Sequence, residues 1–252
     1  MRSPTIDLNA DGGEGFGAYT IGVDAEMLRS VTSLNVACGF HGGDPQGIRQ
    51  TIRAARASGV AVGAHPGFPD LQGFGRRAMH IAPEELTAML VYQIGAVAGL
   101  AAAEGVRLRH VKAHGAVYNM AMLDQRLADA IAEATAVFDG LCLFAPRGST
   151  MAAAAAARGV RLAAEAFLDR GYRADGTLVP RAEPGALITD PARVAERAVM
   201  LARDGVVVAT DGSVVTLDPA TLCIHSDTPG AGRLAAAARA ALETAGVRVA
   251  AP

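Results

Sequence analysis

The sequence has no tryptophan, few other aromatic residues and only three cysteines among its 252 residues. The aromatic fraction is 4%, so the core must be packed chiefly by aliphatic side chains. Cys38, Cys142 and Cys223 are far apart and odd in number, which argues against a disulfide framework. This usage favours a reducing compartment. Because the N-terminus also lacks an apolar segment, we predict a cytoplasmic protein without a signal peptide.

Strongly basic segments are also lacking, and the formal net charge is −2. This balance predicts neither nucleic acid nor an anionic membrane surface as a partner. The longest uncharged stretch, Thr87–Ala103, is shorter than a membrane span and is interrupted by Gln93, Gly95 and Gly99. A buried helix is therefore the better interpretation of that stretch.

Several sequence motifs that are typical of particular binding or catalytic sites are absent. There is no Gly-x-x-x-x-Gly-Lys-Ser/Thr loop and no Gly-x-Gly-x-x-Gly after a strand, so no known motif supports ATP or dinucleotide binding. The Gly-x-Ser-x-Gly elbow of serine hydrolases is absent as well. No compact spacing of histidines and carboxylates marks a set of metal ligands. From this spacing we expect no bound metal.

A repeated junction dominates what is present. Gly-Val follows a helical pattern five times and mostly precedes a β-rich run, as in Ser58-Gly59-Val60 and Asp204-Gly205-Val206. Glycine commonly ends a helix in the left-handed conformation, so each junction predicts a change from helix to strand. The alternation indicates a parallel sheet with helical crossovers. We interpret residues 1–252 as a single domain.

The apolar runs give seven predicted strands and seven predicted helices. The strands are Thr5–Asn9, Thr32–Ala37, Val60–His65, Arg109–His114, Leu141–Ala145, Arg161–Phe167 and Thr221–His225. The helices are Asp24–Ser30, Pro45–Ser58, Pro83–Glu104, Leu123–Ala136, Ser149–Arg158, Pro191–Asp204 and Ala231–Ala245. This α/β pattern predicts a seven-stranded (β/α) barrel similar to a TIM barrel. A doubly wound open sheet is the alternative.

Two further segments interrupt the alternation. Val206–Leu217, with Asp211-Gly212 at its middle, is typical of a hairpin. Gly171–Leu187 shows no clear period and is interpreted as a long functional loop.

Polar side chains collect at the ends of the predicted strands. Successive side chains of a strand point to opposite faces, so the residues that alternate with the apolar ones should line the barrel. Those predicted to converge near its C-terminal mouth are Asn9, Asn35, His65, Lys112, His114, Glu165 and His225. His80 and His110 are interpreted as structural, because one lies in a loop and the other at the lower end of its strand.

Loops at the same mouth add further candidates. Asp11 and Glu14 flank two glycines after the first strand. Asn35–Pro45 carries His41 before another glycine pair, and its Asp44-Pro45 is typical of a helix start. Additional candidates are Arg76, Asp169 and Arg170. Because active sites of barrel enzymes lie at this mouth, we predict one functional cluster there.

These residues, in this order, resemble the LamB/YcsF family. The matching pieces are Asp7 to Asp11 with Gly13-Glu14, Asn35 to Pro45, Gly63 to Pro66, Gly73 to Arg77, Val111-Lys112 with His114 to Ala116, Tyr118-Asn119, Glu165 to Phe167 with Asp169-Arg170, and Asp175-Gly176 with Arg181. The match spans nearly the whole chain. The chain departs from the family pattern at Gly12, Ala113 and Ser226, none of which removes a reactive group.

The resemblance implies a barrel related to those of glycoside hydrolases and polysaccharide deacetylases. It also implies the A subunit of a three-part, ATP-hydrolysing 5-oxoprolinase, which converts 5-oxo-L-proline, ATP and water into L-glutamate, ADP and phosphate. Two further subunits, similar to PxpB and PxpC, would be its partners and would handle ATP wholly or in part. A homo-oligomer is also possible.

The chemistry implied by the resemblance assigns roles to the cluster. Ring opening needs a group that activates water, a cation for the reacting oxygen and hydrogen-bond donors. The predicted catalytic residues are Asp11, Glu14, His41, His65, Lys112, His114 and Glu165. The predicted substrate-binding residues are Asn9, Asn35, Arg76, Asp169, Arg170 and His225. Two alternatives stay open, a metal-dependent deacetylase or amidohydrolase acting on a carbohydrate or lactam, and a substrate-binding scaffold subunit.

Overall fold

The computed structural model describes residues 4–22 and 24–252. Residues 1–3, part of the segment from which the lack of a signal peptide is predicted, lie outside the described residues. The strands are β1 (Thr5–Gly12), β2 (Ser33–Ala37), β3 (Ala61–His65), β4 (His110–Val111), β5 (Cys142–Ala145), β6 (Arg161–Phe167), β7 (Val206–Val208), β8 (Val214–Thr216), β9 (Thr221–Ile224) and β10 (Arg248–Val249). The helices are α1 (Asp24–Met27), α2 (Pro45–Ala57), α3 (Pro83–Ala103), α4 (Gly115–Ala121), α5 (Gln125–Ala136), α6 (Thr150–Ala157), α7 (Pro191–Asp204) and α8 (Ala231–Thr244).

Seven parallel strands among the described residues close into a barrel. Their order is β1-β2-β3-β4-β5-β6-β9, and β9 pairs back onto β1. The closing register places Asp7 opposite Thr221 and Asn9 opposite Cys223. The seven-stranded barrel prediction is therefore confirmed, and the doubly wound open sheet is excluded.

Alternation along the strands separates the two sides of the barrel wall. In β2, Leu34 and Val36 are buried in the apolar core, whereas Asn35 between them is held inside the barrel by polar partners. The interior is crowded at this level. A Cβ on Gly63 would lie 2.2 Å from the ring of His110, so only glycine in β3 leaves room for that ring.

Helix ends follow the sequence signals. Asp44 caps α2 and accepts hydrogen bonds from the backbone N–H groups of Gln46 and Gly47. The junction glycines Gly59, Gly105, Gly159, Gly205 and Gly246 all have φ between +67° and +74°. The predicted helix-to-strand junctions are confirmed.

Several boundaries differ from the prediction. The first strand extends to Gly12 and so carries Asp11, which was expected in a loop. The fourth strand shrinks to His110–Val111, because the chain then turns into the unpredicted helix α4. The short strand β10, which pairs with the start of β1, was also unpredicted. Both additions are very short, and neither carries enough periodicity to be found in sequence.

Helix α3 contains the longest uncharged stretch. It is the single helix of the described residues that is long and apolar enough to cross a membrane, by length and composition only. One face, including Leu86, Ile94 and Val97, is buried in the core, but Tyr92 is 66% exposed. The prediction of a buried helix is thus correct for one face only.

Both interrupting segments have the predicted character. Strands β7 and β8 form an antiparallel hairpin. Residues 171–187 form a loop without helices or named strands, pinned by isolated bridges of Arg170 with Leu187 and of Tyr172 with Leu178.

Candidate active site

A cavity of about 510 Å³ opens at the C-terminal mouth of the barrel. Its wall includes Asp11, His65, Lys112, His114, Arg76, Arg170 and His225, together with residues 177–181 of the long loop. The volume lies within the usual range for small-molecule sites. The fold therefore brings most of the predicted site residues to one place.

Lys112 is the cation of the cavity floor. Its Nζ lies 3.1 Å from Asp11 Oδ1 on β1 and 3.1 Å from Glu165 Oε1 on β6. It also donates to Cys223 Sγ on β9 at 2.9 Å. The side chain is only 3% exposed. One ammonium group thus links three strands of the barrel.

The charges of this cluster stabilise one another. Burial would raise the pKa of Asp11, but His65 and Lys112 outweigh burial and hold that pKa well below its usual range. Burial would lower the pKa of Lys112, but Asp11 and Glu165 help to raise it well above its ordinary value. The pair is therefore ionised at neutral pH, and Asp11 is a weak base there.

Asn9 and Asn35 lie beneath the cavity and are completely buried. Asn35 donates to Asp11 Oδ1 and to Asn9 Oδ1, both at 2.8 Å. Asn9 donates to Glu165 Oε1 at 3.2 Å. Both residues contact the carboxylates of the cluster and do not line the cavity. The prediction that they bind the substrate is therefore corrected. They position the carboxylates.

His110 is structural, as expected. Its Nε2 lies 2.7 Å from Asn35 Oδ1, and its ring stacks on Phe144. Burial, reinforced by the charge of Lys112, lowers the pKa of His110 to about 3. The ring is thus a neutral member of the polar layer below the cavity.

Glu14, His41, His65 and His114 form a second cluster beside Lys112, which we call the histidine cluster. His65 Nε2 lies 3.0 Å from His114 Nδ1. Glu14 Oε1 lies 3.5 Å from His114 Nδ1 and 3.3 Å from His41 Nε2. The rings of His41 and His114 stack with centroids 3.7 Å apart. Glu14 and His41 stand behind the cavity wall, to which His65 and His114 belong.

Neighbouring loops hold these rings tightly. Burial and the adjacent histidines lower the pKa of His41 and of His114 well below the usual value. The carbonyl of Phe74 lies 2.8 Å from His114 Nε2, and Phe74 itself has a left-handed φ of +55°. Such strain in a non-glycine residue is typical of functional loops.

The spacing argument against a bound metal does not hold in the folded structure. Sequence spacing showed no compact set of ligands, but one ligand atom from each member of the histidine cluster lies within 4.8 Å of all the others. The four residues come from four separate segments of the chain. Local spacing could not reveal them.

Gly75 lets its loop approach the histidine cluster, and its replacement tests that packing. It has φ of +64°, and an added Cβ would lie 2.7 Å from His114 Cδ2 and 2.8 Å from His41 Cβ. We expect Gly75→Ala to lower the free energy of unfolding by about 2–4 kcal/mol, measured by urea denaturation. The control Gly212→Ala, at φ of +88° with nothing within 4 Å, should cost about 1 kcal/mol from backbone strain alone. Equal losses in the two variants would contradict close packing at Gly75.

Asp169 and His225 form a dyad on the far side of Lys112. His225 Nδ1 lies 3.0 Å from Asp169 Oδ1, and Thr228 Oγ1 donates to Asp169 Oδ2 at 2.6 Å. Asp169 is fully buried, and the ring of His225 stacks on Phe167. Because the carboxylate fixes Nδ1 as the donor, Nε2 is the nitrogen that can exchange a proton with a molecule in the cavity.

The dyad predicts how stability depends on pH. Burial would raise the pKa of Asp169, but His225 and Thr228 outweigh it and lower the pKa. A depressed carboxyl pKa stabilises the fold fully above the unfolded value of about 3.9, and this contribution is lost as pH falls through the folded value. We expect Asp169→Asn to flatten the fall in Tm below about pH 4, measured by circular dichroism. An unchanged acid slope would contradict an ionised Asp169.

Arginines surround the entrance of the cavity. Arg76 Nη2 lies 2.7 Å and Arg181 Nη2 3.8 Å from opposite oxygens of Asp227. Arg170 is buried and donates to the carbonyls of Val179 and Ala186, so it fastens the long loop. Two guanidinium groups sharing one carboxylate leave the entrance positively charged, which suits an anionic ligand.

Two contributors to the site were missed. Tyr118 on α4 donates to Glu165 Oε2 at 2.8 Å, and Cys223 accepts from Lys112. Neither was predicted as a site residue, although Tyr118-Asn119 is one of the pieces that match the family pattern. One compositional signal does point here. Lys112 is the single lysine among 23 lysine and arginine residues, so a compact ammonium is used at this position alone.

The chain is similar to known proteins over nearly its full length. A family model described as the LamB/YcsF family matches residues 6–252. A protein of Heliobacterium modesticaldum, named as the A subunit of 5-oxoprolinase, is 53% identical over 245 residues, covering 97% of this chain and 96% of its own. A protein of Pyrococcus abyssi with the same name is 47% identical, with coverage of 97% and 96%.

Solved structures agree with the fold. A lactam utilization protein from Thermus thermophilus superposes with a TM-score of 0.94 at 50% identity, covering 98% of this chain and 100% of its own. A polysaccharide deacetylase from Bacillus cereus gives a TM-score of 0.53 at 13% identity, covering 100% and 92%. The second likeness concerns the barrel fold alone and confirms that this chain shares the fold of a deacetylase barrel.

Proposed function

This chain belongs to the LamB/YcsF family, and we propose that it is the A subunit of a 5-oxoprolinase. Its reaction is the hydrolytic opening of the cyclic amide of 5-oxo-L-proline to L-glutamate, driven by cleavage of ATP to ADP and phosphate. The main support for this proposal is similarity over the full length to proteins named for this role, one of which is 53% identical. The polar cavity at the barrel mouth supplies matching chemistry.

The cavity suits a small anionic lactam. Arg76 and Arg181 at the entrance are placed to bind the carboxylate of the substrate, in exchange for part of their interaction with Asp227. Phe167, Leu178 and Met122 form apolar wall for the ring methylenes. The reacting carbonyl can then face Lys112.

Ring opening needs an added water and a broken C–N bond. Water adds to the carbon whose oxygen carries the phosphoryl group from ATP, the C–N bond breaks, and the ring nitrogen takes up a proton to become the amino group of glutamate. A second water hydrolyses the resulting acyl phosphate, which releases L-glutamate and phosphate. Lys112 stabilises negative charge on the reacting oxygen. His225 Nε2 takes the proton from water and returns it to the leaving nitrogen.

The acid–base role falls to His225 for physical reasons. Asp11 is on the cavity wall, but its depressed pKa makes it a weak base. Glu165 is covered by Lys112 and Tyr118, and Glu14, a member of the histidine cluster, lies behind the cavity wall. His65 and His114 also reach the cavity wall, but each directs one ring N–H to a backbone carbonyl, so neither is assigned as a donor to the intermediate.

The handling of ATP is assigned to partner subunits similar to PxpB and PxpC. An unactivated amide resists opening, and phosphorylation of its oxygen would create a leaving group. The sequence carries no known phosphate-binding loop. We therefore place the phosphorylating step on the partners and the ring opening in this barrel.

Reconstitution tests the proposal directly. The chain alone should show negligible ATP cleavage and negligible conversion of 5-oxoproline, whereas addition of the two partner subunits should give glutamate and ADP in equal amounts. Glutamate and ADP are measured by coupled enzyme assays, with L-proline as the control compound that lacks the lactam. ATP-independent amide hydrolysis by the chain alone would overturn the proposal in favour of the amidohydrolase alternative. The complete mixture failing on 5-oxoproline but acting on another lactam would overturn the substrate.

A further inference from the structure

The histidine cluster presents two nitrogen lone pairs to each other. His65 Nδ1 lies 2.7 Å from the carbonyl oxygen of Lys112, and His114 Nε2 lies 2.8 Å from the carbonyl oxygen of Phe74. A carbonyl oxygen only accepts, so both of these nitrogens carry hydrogen. When both rings are neutral, the other two nitrogens, His65 Nε2 and His114 Nδ1, carry lone pairs and lie 3.0 Å apart. His65 Nε2 also lies 3.4 Å from Asp11 Oδ1.

Two lone pairs at this distance repel each other unless a proton or a metal ion lies between them. A carboxylate oxygen, Glu14 Oε1, lies 3.5 Å from His114 Nδ1 and 3.3 Å from His41 Nε2. Two ligand atoms of a tetrahedral zinc ion, each about 2.0–2.1 Å from the metal, are about 3.3 Å apart. Three of the six spacings among the four ligand atoms, 3.0, 3.3 and 3.5 Å, are close to that value, and all six are within 4.8 Å.

We propose that Glu14, His41, His65 and His114 bind one transition-metal dication, with zinc as the best-fitting ion. Three imidazoles and one carboxylate form a donor set that zinc and its neighbours in the first transition row prefer, and that calcium and magnesium do not. The ion reaches the site through the cavity, whose wall includes His65 and His114.

The surroundings are built as for metal ligands. Histidines that bind metals usually donate their second N–H to a carbonyl or carboxylate, which fixes the ring. His65 and His114 both do so. Glycines pack against the cluster, since a Cβ on Gly67 would lie 3.0 Å from His41 Nδ1. These contacts fix the rings of His65 and His114, whereas the ring of His41, stacked on that of His114, must rotate to direct Nε2 at a shared ion.

A second group of possible ligands nearby is a poorer choice. Asp11, Cys223 and His225 also bring ligand atoms within 4.8 Å of one another. The ammonium group of Lys112, however, lies 3.1 Å from Asp11 Oδ1 and 2.9 Å from Cys223 Sγ. A fixed cation at those two atoms repels a metal ion, so the histidine cluster is the metal site.

Metal binding to the chelator-stripped full chain tests the assignment. Calorimetric titration with Zn²⁺ should show about one ion per chain, and Co²⁺ should give the intense visible bands of a tetrahedral complex. His65→Asn and His114→Asn should each weaken binding by more than about 100-fold, since even the groups that only orient ligands are worth 10- to 100-fold. His225→Asn and His80→Asn are matched controls and should bind as the unmodified chain does.

X-ray absorption of the zinc-loaded, unmodified chain keeps the test independent of how the variants fold. We expect only nitrogen and oxygen neighbours at about 2.0–2.1 Å, without the sulfur at about 2.3 Å that Cys223 would add. The assignment is overturned by the absence of saturable binding, by a sulfur ligand, or by loss of binding in His225→Asn alone. Because no readout involves lactam or ATP, failure here is distinguishable from failure of the proposed 5-oxoprolinase role.

Discussion

Replacing Lys112 with methionine is expected to lower turnover of the reconstituted system by at least about 10³-fold and the free energy of unfolding by about 3–5 kcal/mol. The substitution keeps the length of the side chain but removes the cation between Asp11 and Glu165, each 3.1 Å from Nζ. Two buried carboxylates then face each other without compensation. Turnover is measured as glutamate release, and stability by urea denaturation of the isolated chain.

A second substitution separates charge from shape. Lys112→Arg retains the positive charge, yet its planar guanidinium is bulkier and cannot act as a compact point charge between the same partners. We expect turnover to remain at least about 10²-fold below normal, with a smaller loss of stability than in Lys112→Met. Full activity in Lys112→Arg would contradict the need for an ammonium group.

The double variant Lys112→Met with Glu165→Gln, compared with the two single variants, completes a double-mutant cycle. Removing one carboxylate relieves the repulsion left by the missing cation, so the stability loss should fall short of the sum of the single variants by about 1–3 kcal/mol. Turnover should stay abolished, because the cation is still missing. Additive stability losses would show that Lys112 and Glu165 are not coupled.

Much of the fold was accessible from sequence because its signals are local. Gly59 and Gly205 mark helix ends through their backbone freedom, and both have the left-handed φ that the pattern predicted. The alternation of Leu34, Asn35 and Val36 gives the inward face of β2 without any knowledge of its neighbours. Such signals predict whether a segment is a helix or a strand and which of its side chains point into the barrel, and this is sufficient to predict the barrel fold.

The sequence could not predict how deep each side chain lies below the cavity or which side chain it contacts, because both depend on the register between distant strands. Asn35 and His65 belong to the same inward-facing set, but β2 places Asn35 opposite Asp11 and Gly63, below the cavity. The approach of Glu14 to His41 and His114 depends on loops that meet only after the barrel closes. No spacing along the chain encodes these distances.

Removing the imidazole of the Asp169–His225 dyad is expected to reduce kcat of the reconstituted system by about 10²–10⁴-fold. His225→Asn retains a polar side chain against Phe167 but offers no group that accepts a proton near neutral pH. Retention of kcat within about tenfold would contradict this role and leave Asp11 as the base on the cavity wall.

Asp169 acts through His225 and is a positioning residue, so its replacement should show a different signature. Asp169→Asn should lower kcat by a similar factor of about 10²–10⁴ with little change in KM, because an amide no longer enforces the tautomer with hydrogen on Nδ1. Thr228→Val is the matched control. It deletes a 2.6 Å hydrogen bond to the same carboxylate but leaves the contact between Asp169 and His225 Nδ1 in place. Its kcat should therefore stay within about tenfold of normal. If Thr228→Val is as inactive as Asp169→Asn, the carboxylate serves the local fold and not the orientation of His225.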